Sequence, residues 1–295
     1  MRKVKLAVVQ MQMHSEHERN IEQAEARVRE AAGQGAHLVL LPELFAHPYF
    51  CKDQDARFFD WALPATAHPV IERFRKVAAE LKLVLPISFF ERSGPAHFNS
   101  LATIDADGSL RGIYRKAHIP DGPGYQEKFY FTPGDTAFEP RKTAIGKVGA
   151  LICWDQWFPE PARLLALRGA EMILYPTAIG SEPPSPELDS SAHWRRVMQG
   201  HAGANVMPVA AANRVGTEEG RESTVTFYGT SFIADATGAI VAEADRSEET
   251  ILYAEFDLDE TAALRRDWGV FRDRRPELYR GLASFDGDET IQSTK

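Results

Sequence analysis

The chain has 295 residues, 44% hydrophobic and 26% charged, enough to bury a full core as one large unit or two modest ones. A formal net charge of -8, with no run of Lys and Arg to reverse it, excludes nucleic acid as a first choice of partner. Two cysteines and the absence of any apolar run of membrane or signal-core length point to a cytoplasmic protein with no membrane contact and no disulfide framework.

Val4 to Val9 reads as a buried strand. The segment Arg19 to Ala32 follows as a helix with Ile21, Ala24, Val28 and Ala31 on one face, stopped by Gly33 and Gly35. His37 to Leu41 is the next strand and ends at Pro42 and Glu43. Pro69 opens a helix in which Val70, Phe74, Val77 and Leu81 recur at helical spacing, and Leu83 to Phe90 returns as a strand. The run NSLATIDADGSLRGIYRK, residues 99 to 116, has the pattern of a hairpin turning at Asp107 and Gly108.

The second half repeats this order. VKLAVVQ (4 to 10) is echoed by KVGALIC (147 to 153), QGAHLVLLPEL (34 to 44) by RGAEMILYPTA (168 to 178), and IDADGSLRG (104 to 112) by ADATGAIVA (234 to 242). Three echoes in one order indicate an internal pseudo-repeat. Two β-rich layers, each with helices on one face only, bury their inner faces against each other, so the expected fold is an α/β four-layer α-β-β-α sandwich. The expected organisation is a single domain over residues 1–283, with 284–295 as a mobile tail lacking apolar periodicity.

Glu43, Lys116 and Cys153 each fall at the end of an expected strand, where side chains in an open sheet converge on a ligand. A carboxylate, an ammonium and a thiol in one place would supply a base, an oxyanion donor and a nucleophile. The same residues also have bland readings: a small buried hydrophobe, a turn cap and a solvated lysine. Spacing alone leaves both open.

LLPELF around Glu43, YRKAHIP around Lys116 and LICWDQWFPE around Cys153 resemble the nitrilase, or carbon-nitrogen hydrolase, superfamily, in this order and along nearly the whole chain. The resemblance implies a nitrilase-like sandwich, a Glu-Lys-Cys catalytic set, no metal, no cofactor, and homo-oligomers. It also implies a second glutamate, for which GYQEKFYFTPG offers Glu127, with Asp121 and Asp135 in the same loop. Cys153 would attack, with its proton passing to Glu43 or already lost. Lys116 and the backbone N–H of Trp154 would face the oxyanion, and Lys116 would favour ionisation of the thiol. Glu127 would hold Lys116 or Glu43 in place. A Cys-His pair using His193 or His201, and a zinc site from His47, Cys51 and His68, lack the local signatures those chemistries need.

Trp154 and Trp157 beside Cys153, Tyr125 near Glu127, and Glu182 in TAIGSEPP make a receptor for an alkylammonium, through aromatic faces and one carboxylate. The segments CWDQWFPE, YFCKDQ, GYQEKFYFTPGD, AIGSEPP and HWRRVMQGHAGAN resemble the N-carbamoylputrescine amidase branch of the superfamily. That implies a small carbamoylated amine as substrate, its ammonium against Glu182 with Tyr125 and Trp154 lining the way. Two alternatives stand beside it: an amidase for N-carbamoyl amino acids or ω-amides, with Arg195 and Arg196 as carboxylate partners, and a non-enzymatic interaction subunit.

Overall fold

The computed structural model describes residues 1–288. Strand β1 (Lys3–Gln10) leads into α1 (His17–Gly33), which buries Asn20, Ala24, Val28 and Ala31. After β2 (Leu38–Leu40) comes α2 (Pro69–Leu81), with proline in its first turn, where a missing N–H costs nothing. Strands β3 (Leu85–Ser93), β4 (Ala96–Ile104) and β5 (Leu110–Arg115) form a meander. A connector then carries the short α3 (Glu127–Tyr130) and β6 (Arg141–Thr143).

The order begins again with β7 (Gly146–Ala150), α4 (Pro159–Leu167), β8 (Met172–Pro176), α5 (Ser191–Asn205) and β9 (Val209–Ala212). An additional hairpin, β10 (Val215–Glu219) with β11 (Thr224–Tyr228), precedes β12 (Phe232–Ala234) and β13 (Ile240–Glu243). Strand β14 (Thr250–Asp257) and α6 (Leu258–Trp268) complete the regular elements.

The second-half sheet has the order β13-β12-β9-β8-β7-β6. In the first half, β14-β1-β2 and β3-β4-β5 join through a parallel bridge between Leu38 and Val84, giving β5-β4-β3-β2-β1-β14. Strand for strand, the two orders match. The likeness reaches single turns: Gly108 N–H donates to Asp105 O and Gly238 N–H to Asp235 O, and each sheet slips register just before its turn, at Thr103/Ile104 and Ile233/Ala234. Both turn glycines have positive φ, 78° and 88°. A Cβ on either would stand 2.7 Å from Arg75 O of α2 or 2.6 Å from Gln199 O of α5, so glycine is required twice for one reason.

Three apolar clusters define the layers. Ala24, Val28, Phe74 and Val77 pack on the outer face of the first sheet through Val9, Val39 and Leu85. Leu165, Trp194 and Met198 cover the outer face of the second through Ile173, Val209 and Phe232. Between the sheets, Leu6, Val8, Leu38 and Leu40 meet Val148, Met172, Leu174 and Ala210. Alternating side chains along each strand thus fill two different layers, giving the α-β-β-α sandwich.

One detail departs from expectation. Strand β7 stops at Ala150, so Cys153 lies beyond the strand, at the start of a 3-10 turn. The expected tail begins with residues 284–288, mostly exposed, and 289–295 lie outside the described residues. Among the described residues no helix is long and apolar enough to cross a membrane.

Candidate active site

The chain leaves β2 through Pro42 into a tight turn, in which Leu44 takes a φ of 49° and donates its N–H to Ser88 Oγ at 3.0 Å. That turn aims Glu43 inward, where it is completely buried. Lys116 follows β5 directly, its N–H held by Asn99 O at 2.8 Å, and Glu127 is the first residue of α3. Cys153 has a φ of 40°, a left-handed conformation that a non-glycine residue holds only when its surroundings impose it. Asp155 supplies that restraint. One of its oxygens accepts from Ile152 N–H (3.0 Å) and Tyr114 OH (2.7 Å), the other from His118 N–H (3.0 Å) and His118 Nδ1 (2.7 Å).

These turns bring the four residues together. Lys116 Nζ donates to Glu43 Oε1 at 2.9 Å and to Glu127 Oε2 at 2.6 Å. Asn99 Nδ2 gives Glu43 Oε1 a second bond at 2.7 Å, and Tyr49 OH gives Glu127 Oε1 one at 2.7 Å. An ammonium has three protons. Two are engaged here, which leaves the third uncommitted among the described residues. Glu43 Oε2 is buried without a hydrogen-bond partner, a free acceptor in the middle of the site.

The electrostatics follow from burial. Desolvation alone would pull the Lys116 ammonium down, but Glu127 and Glu43 more than reverse it and hold it well above its ordinary range. Burial lifts Glu127, with Lys116 opposing and Glu43 adding, so a proton is retained more readily there than on an ordinary carboxylate. Burial, then the neighbouring Glu43, also raise the Cys153 thiol well above its usual range, and Lys116 does not outweigh them. Lys116 thus acts on the thiol in the expected direction, towards ionisation, but burial and Glu43 outweigh it.

A cavity of about 440 Å³ opens above Cys153 and Glu127, walled by Tyr125, Trp154, Trp157, Glu182 and His193. Glu43 and Lys116 lie behind that wall. Tyr125 presents its ring, because its hydroxyl donates to Ser181 O (3.0 Å) and accepts from Gly180 N–H (2.9 Å). Glu182 is half-buried, its carboxyl raised by desolvation, and no hydrogen bond or ion pair engages that carboxyl among the described residues. Asp121 also lines the cavity, whereas Asp135 pairs with Arg115 at 2.9 Å. Arg195 is paired with Glu243, and neither Arg195 nor Arg196 lines the cavity.

His193 packs on Trp157 (4.8 Å between centroids), and His201 bonds Gln156 O through Nε2 at 2.8 Å, so His201 braces the turn behind Cys153. His47 stacks on Trp61, and His68 packs against Phe89. Among the described residues no group of three or more His, Cys, Asp or Glu could hold a metal ion. Sequence reasoning assigned no role to Tyr49, Asn99, Asp155 or Arg214. The one cue was Arg214 itself, a cation embedded in the apolar run VAAANRV.

A buried thiol at the floor of a cavity, with an unpaired carboxylate oxygen and an ammonium behind it in a doubled sandwich, is the set that a hydrolase of carbon–nitrogen bonds would need. The comparisons agree: the chain belongs to the carbon-nitrogen hydrolase family, whose model matches residues 5–266. It is 59% identical over 273 residues to an N-carbamoylputrescine amidase of Arabidopsis thaliana, covering 91% of each chain. It is 54% identical over 279 residues to a citrullinase of Francisella tularensis, covering 95% of this chain and 98% of that one. Among solved structures, a carbon-nitrogen hydrolase from Helicobacter pylori G27 superposes with a TM-score of 0.90 at 40% identity, covering 96% of this chain and 99% of that one.

Proposed function

We propose that the protein hydrolyses the terminal ureido group of N-carbamoylputrescine, releasing putrescine, ammonia and carbon dioxide. The observation that carries this reading is the charge of the cavity wall. Among the described residues, Glu182 stands half-buried and unpaired beside aromatic faces, and no Lys or Arg lines the cavity. An entering ammonium finds a partner there, and a carboxylate finds none. The high identity to an N-carbamoylputrescine amidase supports the same choice.

In this reading Cys153 Sγ attacks the ureido carbon as its proton passes to Glu43. The oxyanion is met by the third Lys116 proton and the N–H of Trp154, at the open start of its turn. Glu43 returns the proton to the departing nitrogen, and ammonia leaves an S-(N-alkylcarbamoyl) cysteine. Glu43 then takes a proton from water, which attacks the same carbon. Cys153 departs and is reprotonated, and the freed carbamate decomposes to amine and carbon dioxide. Glu127, fixed by Tyr49, keeps Lys116 in register. Free thiols at Cys51 and Cys153 support a reducing cytoplasm, and exposed Leu164, Leu167 and Leu282 support assembly into homo-oligomers.

A second reading has a specific motive, the 54% identity to a citrullinase. Citrulline carries the same ureido group with an added α-carboxylate, so the chemistry is shared and only the far end differs. Ammonia release from N-carbamoylputrescine, citrulline, an uncharged alkylurea and a simple ω-amide separates the readings. N-carbamoylputrescine should have the highest kcat/KM. Preference for citrulline would transfer the assignment to the amino acid. No turnover of any substrate, with Cys153 inert to alkylation, would favour the interaction subunit.

A further inference from the structure

Arg214 is completely buried, yet it lies outside the cavity and touches none of the four residues of the site through their side chains. All of its donors are nonetheless engaged. Nε and Nη2 reach Glu43 O (3.3 and 2.9 Å), Nη2 also reaches Leu44 O (2.8 Å), and Nη1 reaches His47 O (3.1 Å) and Glu218 Oε1 (2.9 Å). Three of these acceptors are backbone carbonyls of the turn that aims Glu43, including the left-handed Leu44. The fourth continues outward, since Glu218 Oε2 accepts from Tyr49 N–H at 2.5 Å and from Lys52 Nζ at 3.4 Å. Tyr49 in turn holds Glu127 through its hydroxyl. The guanidinium packs against the contacting rings of Tyr49 and Phe227, 5.7 Å from each centroid.

We infer that Arg214 is a positioning residue that sets both carboxylates of the site at once: Glu43 through the carbonyls of its turn, and Glu127 through Glu218 and Tyr49. The inference rests on the catalytic reading of Glu43 and Glu127 given above. Arg214 follows β9 in the second half of the chain, while Glu43 and Tyr49 belong to the first. The planar fork therefore spans the two sandwich halves, and its five N–H donors match a set of acceptors that one lysine ammonium cannot reach together.

The test measures kcat per active site for Arg214→Ala, Arg214→Lys and Glu218→Gln, counting sites by stoichiometric alkylation of Cys153, together with thermal unfolding of each variant. Arg214→Ala should lower kcat about 100-fold with KM changed little, the scale expected when a reacting group is displaced by about 1 Å. Arg214→Lys should recover part of that loss, and added guanidinium ion below denaturing concentration should restore Arg214→Ala more than sodium at equal ionic strength. A lower Tm with an unchanged kcat per site would overturn the inference, because Arg214 would then only support the fold. If Arg214→Ala does not fold, Glu218→Gln decides. It keeps the three carbonyl bonds, so a loss of at least about 10-fold in kcat, the scale of 1.4 kcal/mol, supports the coupling to Tyr49 and Glu127, and an unchanged kcat refutes it. Failure of the underlying reading looks different: Glu43→Gln would keep full turnover whatever Arg214 does.

Discussion

Replacing Glu182 with Gln removes one charge from the cavity wall and almost no volume. The free carboxylate is half-buried, without a partner among the described residues, and raised by desolvation, so its charge is under-solvated until a cation arrives. At about 4 Å and an effective dielectric near 20 the attraction is roughly 4 kcal/mol, from which desolvation of the ammonium subtracts. The net value of a charge-assisted hydrogen bond, about 1.5 to 3 kcal/mol, is the appropriate scale. It corresponds to a drop of roughly 10-fold to 150-fold in kcat/KM. Ammonia release should show that loss for N-carbamoylputrescine, with an uncharged N-butylurea changed less than about twofold. For wild type, binding of the amine should also weaken as pH falls, because protonating Glu182 removes the same charge. Equal losses on both substrates would show that Glu182 supports its loop and not the amine; no loss on either would remove the physical basis of the putrescine assignment.

Cys153→Ala should abolish turnover, whereas Cys51→Ala, which only trims a buried side chain, should keep most of it; comparable activity in Cys153→Ala would end the thiol mechanism. Lys116→Met should chiefly lower kcat, since the third ammonium proton meets charge that exists only in the transition state, and a pure rise in KM would contradict that role. Burial pushes His68 down to about 4 from its ordinary 6.5. The unfolded chain therefore takes up that proton first as pH falls, and stability is lost progressively between about pH 6.5 and 4, by at most about 3 kcal/mol. Urea unfolding at pH 7 and pH 4.5 should show a smaller difference for His68→Phe than for wild type, and an identical difference would refute the assignment.

Much of the fold was legible because periodicity and punctuation agree locally. Pro69 opens α2 and Val70, Phe74 and Val77 are buried where helical spacing puts them. The repeat was legible because its turns are built from the same short patterns, down to Gly108 and Gly238. Glu43, Lys116 and Cys153 drew attention as expected strand ends, but spacing left their role open, and it was the resemblance carried by LLPELF, YRKAHIP and LICWDQWFPE that singled them out. The backbone of Cys153 was not legible: GALIC reads as one apolar strand, and only the Asp155 side chain, returning to Ile152 N–H, shows where it breaks. Arg214 and Glu43 lie 171 positions apart, and nothing local to either announces a side chain that bonds the other's carbonyl. Tyr125 lines the cavity, but its hydroxyl is committed to Gly180 and Ser181, contacts that depend on two distant loops meeting.

The matching strand orders leave each reacting position with a counterpart. By the echo of segments, Gln10 stands where the second half has Cys153, and Thr177 where the first half has Glu43. Gln10 has no chemistry to perform. Its amide nitrogen donates to Asp245 O (2.9 Å) and Glu248 O (2.8 Å), and its oxygen accepts from Ser231 N–H (3.0 Å) and Oγ (2.9 Å). Thr177 receives Glu43 N–H on its carbonyl at 3.3 Å. The duplicated architecture thus divides labour between two equivalent crevices, each built from both halves. One holds a left-handed cysteine and an unpaired carboxylate oxygen, both unfavourable for folding, and the other has become mortar, its polar groups closed on their neighbours. A scaffold of this kind can change its chemistry on one side while the other keeps the shape.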